Sequence, residues 1–228
     1  MTKADHAKLI PNLLKQLRRE FEVPPVLARE PVLELVYSFL IWESTTAKAD
    51  AALRRVLEGL MDLNELRAAR IETVVGALGK TYPLGEERAE RMHLALNDLF
   101  KREHVLSLEK AIKKGKKDGR GYIESLDGIP SYVAARASVF TLGAHAVPLD
   151  GRLMACLVEK GVFDESEDLL HAQALLERYV SAAESQEAHL LFQAWADETA
   201  PSTAVGRRPV AKAKPAPARG RTVRAAKQ

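Results

Sequence analysis

The sequence predicts an all-α protein, and three observations carry that prediction. Apolar residues recur at helical spacing along most of the chain, no segment alternates with period two over a strand's length, and the intervening stretches are short and rich in glycine. In chain order, Val32, Leu33, Leu35, Val36, Phe39 and Leu40 leave almost no polar face, so their segment reads as a central buried helix. Pro31 stands at its first turn, where a missing N–H costs nothing. Ile71, Val74, Val75 and Leu78 recur at i, i+3, i+4 and i+7 and form one stripe. Leu149, Leu153, Leu157 and Val158 form another, Leu169, Leu170, Leu175, Leu176 and Val180 a later one, and Leu190, Leu191 and Trp195 the last. Gly59, Gly79, Gly85, Gly128, Gly143 and Gly161 punctuate these segments. The basic run KAIKKGKKDGRG, Lys110 to Gly121, reads as a solvated helix end and loop.

A chain of 228 residues with 46% hydrophobic content can bury the core of one ordinary domain, or of two small lobes around a cleft. No apolar run is long enough to span a bilayer, and the N-terminus has no apolar signal core, so a cytoplasmic protein is expected. The single cysteine, Cys156, excludes an internal disulfide and an iron–sulfur cluster, and its place on an apolar stripe reads as core. The net charge of +3 hides an asymmetry: from Arg207 onward there are eight basic and no acidic residues, and the remainder holds 26 Lys and Arg against 31 Asp and Glu. Any electrostatic footprint for nucleic acid on the body is therefore local. The Pro/Ala/Lys/Arg-rich tail, Pro201 to Gln228, is expected to be disordered. It reads either as a polycation that holds DNA through residues such as Arg207 and Arg208, or as a solubilising tail.

Other chemistries find little support. GALGKT, Gly76 to Thr81, lacks the spacing of a phosphate-binding loop and no strand precedes it. The histidines are scattered without metal-ligand spacing, and no G-x-S-x-G elbow exists.

The stretch LDGIPSYVAARASVFTLGAHAVPLD, Leu126 to Asp150, does carry a pattern. It resembles the helix-hairpin-helix DNA glycosylase superfamily, most of all its endonuclease III branch. There a hairpin of the form L-P-G-[VI]-G leads into a helix of small residues, a Leu/Phe-Gly turn, and a short apolar stretch ending at the catalytic aspartate. PVLELVYSFLIWESTTAKADAALRRVL resembles the family's long buried helix with the loop and helix after it, and ARIETVVGALGK an earlier helix and glycine turn. The resemblance spans roughly Pro31 to Trp195. It implies a two-lobed all-α fold: a six-helix barrel over residues 32–145, and a second lobe joining an N-terminal helix within residues 1–31 to the helices of 146–199, with residues 200–228 as the tail. It implies a monomer that binds double-stranded DNA across the cleft and flips a damaged nucleotide into it.

It also implies roles. Gly128, Ile129, Pro130 and Ser131 correspond to the hairpin that holds a phosphate, for which unpaired N–H groups at a helix start are suited. Asp150 corresponds to the catalytic aspartate. Glu43 stands where the family has a glutamine that fills the gap left by the flipped base; read on its own, Glu43 is a solvated helix-end glutamate beside a core tryptophan. Lys113, Lys114, Lys116 and Lys117 join the expected DNA contacts.

The chain departs from the pattern in places. Eighteen residues before Asp150, where the branch carries a lysine, stands Tyr132. A phenol forms no imine, so strand-nicking lyase chemistry is not expected and Tyr132 is left to line the pocket. Pro130 removes a hairpin N–H donor and Asp127 adds a negative charge beside a phosphate site. Where the four-cysteine loop would follow, the chain reads QAWADETAPSTAV. The expected activity is hydrolysis of the glycosidic bond of a damaged base without nicking. The alternatives are a non-catalytic module that binds distorted or abasic DNA, and a helical protein-interaction scaffold whose tail alone touches nucleic acid. Asp150 itself reads equally as a plain helix cap.

Overall fold

The structure, a computed structural model, describes residues 3–59 and 62–200; the tail with Arg207 and Arg208 lies outside them. Among the described residues it contains α-helices and no strand. They are α1 (Lys3–Glu20), α2 (Pro31–Ile41), α3 (Thr46–Gly59), α4 (Leu63–Ala68), α5 (Ile71–Leu78), α6 (Gly85–Glu103), α7 (Glu109–Lys113), α8 (Gly115–Glu124), α9 (Ser131–Leu142), α10 (Gly151–Glu159), α11 (Leu169–Tyr179) and α12 (Ser185–Thr199). None is long and apolar enough to cross a membrane.

Two apolar cores divide the molecule. The first gathers α2 to α9 around Leu35, Phe39, Leu96, Leu99 and Val133. The second joins Ile10, Leu14 and Leu17 of α1 to Leu157 of α10, Leu176 of α11 and Phe192 of α12. Cys156 is buried in this second core. α2 is buried nearly all round, as its sequence predicts, with Pro31 in its first turn. Its buried residues include Glu34 and Ser38, which meet the guanidinium of Arg136 on α9.

The connection between α1 and α2, residues 21–30, has no helix and exposes Val23, Val26 and Leu27, so not every link is short. The basic run 110–121 also differs from expectation. Only Lys114 lies outside a helix, and Gly115, at φ +78°, makes the break between α7 and α8. Gly119 does not break α8. It is buried, and a Cβ there would overlap the carbonyl oxygen of Ala111 on α7. This glycine lets two helix backbones touch.

Candidate active site

The α8–α9 connection is a tight hairpin braced against α6. Gly128 adopts φ +73°, and a Cβ there would stand 3.0 Å from the Leu94 side chain. The Ile129 N–H donates to the Leu126 carbonyl at 3.3 Å. The Asp127 N–H donates to the Asp98 carboxylate at 3.0 Å, so that donor is spent inside the protein. Pro130 is the residue before α9 and offers no side-chain cap to the first-turn N–H groups, which begin at the exposed Ser131.

α9 then carries Tyr132 and Phe140 against His189 of α12, while Arg136, one turn after Tyr132, bonds Glu34 and Ser38 of α2. Tyr132 is 3% exposed; its hydroxyl donates to Gln193 Oε1 at 3.3 Å, and its ring lies edge-on to His189. Burial pushes the phenol pKa well above its ordinary value. Burial likewise holds the His189 imidazole well below its usual pKa, with Arg136 adding to the effect. Neither ring nitrogen of His189 has a partner among the described residues, nor has Nε of Arg136.

A left-handed turn at Gly143 ends α9, and the extended chain that follows delivers Asp150 to the start of α10. Asp150 is the N-cap: Oδ1 accepts from the Leu153 N–H at 2.9 Å. Oδ2 accepts from the backbone N–H of Glu43 at 2.9 Å. In return Oε1 of Glu43 accepts from the Gly151 N–H at 2.7 Å. The two carboxylates thus interlock across the seam between the lobes, each on the other's backbone.

Burial pushes the Glu43 carboxyl up to about 7, and the Asp150 charge adds to it. Burial raises Asp150 as well, but its two backbone donors and the Arg152 guanidinium oppose the shift. Two like charges this close do not both ionise cheaply. The additional donors favour the charge on Asp150, and burial favours the proton on Glu43.

The turn carrying Glu43 is held by buried donors. Arg88, with no solvent exposure, donates to the carbonyls of Phe39, Trp42 and Pro83. Its own pKa falls to about 10 through burial. The Tyr82 hydroxyl donates to the Leu40 carbonyl at 2.6 Å. Arg152 and Gln193 both donate to the Ser44 carbonyl, and Arg152 also binds Asp197 Oδ1 at 3.1 Å. The Thr46 N–H donates to Asp197 Oδ2 at 2.9 Å. Sequence reading missed Arg88 and Arg152, because nothing local marks a charged residue as one that will be buried against distant carbonyls.

The structure therefore brings Asp150, Tyr132 and Glu43 to one seam. Without DNA, Glu43 folds back onto the Gly151 N–H. The lysines stand apart. Lys113 pairs with Glu109 at 2.8 Å, and Lys116 Nζ lies 3.6 Å from where a Cβ on Gly143 would be. Gly143 is at the far end of α9, about 16 Å along the axis from Tyr132. Lys114 and Lys117 are exposed in the same stretch. Two surface grooves, of about 350 Å³ between the hairpin and α11 and about 420 Å³ between α3 and the end of α5, contain none of Asp150, Tyr132 and Glu43.

No protein-family model matches the chain, and no curated protein matches it in sequence. Solved structures do. A trapped endonuclease III–DNA covalent intermediate superposes with TM-score 0.65 at 15% identity over 85% of each chain. The Clostridium acetobutylicum 8-oxoguanine glycosylase/lyase bound to double-stranded DNA, with cytosine opposite 8-oxoguanine, gives 0.65 at 13% identity over 87% of this chain and 71% of that one. A thermostable thymine-DNA glycosylase gives 0.58 at 13% identity over 87% of this chain and 91% of that one. Likeness at such identities speaks to backbone architecture, and the hairpin, the α9 turn and the capped aspartate follow one another in the order the motif requires: the chain has the fold of the helix-hairpin-helix DNA glycosylase superfamily.

Proposed function

We propose that this protein is a DNA repair glycosylase that hydrolyses the glycosidic bond of a modified base without cutting the strand. The observation that carries this reading is the interlocked pair of carboxylates at the α10 N-terminus. An ionised Asp150, fixed by backbone N–H groups and a helix dipole, is suited to stabilise positive charge on a sugar as its base departs. The base reaches it by flipping out of the duplex, at a cost lowest for a mismatched or damaged base. The hairpin and the first turn of α9 hold the phosphate backbone and read no sequence. Tyr132 cannot form a Schiff base, so no covalent sugar adduct should be trapped by borohydride.

The burial of Asp150, 3% exposed, and of Tyr132 favours a second reading, in which the fold binds abasic or distorted DNA and does no chemistry. The test is base release from duplexes that each carry one modified base, scored by alkaline cleavage of the abasic product. Release by the wild type, lost ~100-fold or more in Asp150→Asn while duplex binding is kept, is the expected result. An inactive wild type that prefers an abasic duplex by about tenfold, 1.4 kcal/mol, supports the second reading.

A further inference from the structure

We propose that Glu43 is the acid of this reaction: its carboxyl protonates the departing base, and the substrates are therefore bases that leave uncharged sites and need that proton, rather than bases that are already cationic. The proposal rests on the glycosylase reading and adds a substrate class to it.

Glu43 is one of the few non-glycine residues with positive φ, at +53°. A turn that served only to reverse the chain would hold a glycine there without strain. Instead the strain is imposed from outside, because Arg88, Tyr82, Arg152 and Gln193 take the carbonyls on both sides of Glu43. A residue held in a sparsely populated region by surroundings that over-determine it is the pattern of a functional position. The partner side agrees. Gly151 follows Asp150 directly, and a Cβ on it would stand 2.9 Å from Glu43 Oε1. Room for this carboxyl is built into the start of α10. Oε1 is held by the Gly151 N–H, whereas Oε2 has no hydrogen bond among the described residues and remains free to meet a substrate.

The charged and titratable groups facing Glu43 are Arg88 from α6, and Asp150 and Arg152 from α10; Tyr132 of α9 and Asp197 of α12 face the pair from behind. The guanidinium groups favour ionised Glu43, but burial and Asp150 outweigh them, so the carboxyl holds its proton up to about pH 7. The surroundings of the two carboxyls thus bias the charge toward Asp150 and the proton toward Glu43.

The step balances. The C1′–N bond breaks and its electron pair goes to the base, which takes the proton of Glu43. Asp150 faces the sugar cation. Water then forms the C1′–O bond and returns one proton to the Glu43 carboxylate. A 7-alkylated guanine already carries its positive charge and leaves neutral without this proton; uracil, hypoxanthine and 8-oxoguanine do not.

Single-turnover base release by the full chain would be measured from pH 5 to 9 on duplexes carrying uracil, hypoxanthine or 8-oxoguanine, and on one carrying 7-methylguanine. Expected for the wild type is release of an uncharged base with a rate that falls above about pH 7. Glu43→Gln keeps the acceptor for the Gly151 N–H; it should lower that rate ~100-fold, flatten the alkaline fall, and lower any 7-methylguanine release at least about tenfold less than that of the uncharged base. Equal losses on both classes would show that Glu43 only shapes the site, and a loss under about threefold on the uncharged base would also overturn the acid role. So would a wild type that releases 7-methylguanine alone, or one whose rate is flat above pH 7, a readout that does not depend on the variant folding. In each of those outcomes the glycosylase reading stands; only a wild type that releases no base from any duplex removes both.

Discussion

Leu35, Phe39, Leu96 and Leu99 inside the barrel lobe have no solvent exposure, and what joins them is apolar area. The seam between the lobes is nearly as buried, yet it is built from Asp150, Arg152, Tyr132, His189 and Gln193. Area is non-directional and forgives small movements. Hydrogen bonds are lost over a fraction of an ångström. The lobes are therefore held by area, and the seam is held by bonds that place particular atoms. The unpartnered nitrogens of His189 and Arg136 belong to the same contrast, since buried polar groups without partners carry a desolvation cost that the apolar cores do not.

Substitutions at the two regions should separate these roles. The largest effect is expected in the lobe: Phe39→Ala should cost about 4 kcal/mol of unfolding free energy, measured by denaturant titration, with all probes reporting one transition. A change under about 1 kcal/mol would mean that the barrel core is not the source of its stability. Arg152→Met deprives the Ser44 carbonyl and the Asp197 carboxylate of a donor and should cost about 3 kcal/mol. Hydrogen exchange should rise first at Ser44 to Thr46 in this variant, well below the global transition. Exchange rising evenly across both lobes would break the comparison, because the seam would then be part of the core. The smallest effect is expected for Tyr132→Phe, which removes one long hydrogen bond to Gln193 and should cost about 1 kcal/mol.

Much of the lobes was legible in the sequence and little of the seam was. α2 could be read because six apolar residues in nine positions have no other use. The end of α9 and the cap at Asp150 could be read because glycine and aspartate have local reasons to be there. Arg136 with Glu34 could not, because the partners are 102 residues apart and a charged residue defaults to solvent. Glu43 could be aligned to a role but not placed, since a left-handed glutamate leaves no local signature. The 110–121 run misled for the opposite reason. Its glycines look like breakers, but Gly119 is a contact between helices.

The second core has a consequence for how the chain is made. Leu13, Leu14 and Leu17 of α1 are covered by α11 and α12, and Arg18 meets Glu184 and Glu187, residues 166 and 169 positions later. On a ribosome adding about 5–20 residues per second, the leucines of α1 wait roughly 10–30 seconds before their partners emerge. Throughout that interval the nascent chain displays an amphipathic helix with a bare apolar face beside a barrel that can already fold. Synthesis therefore has a window in which chaperones, or a neighbouring chain's α1, compete for that face.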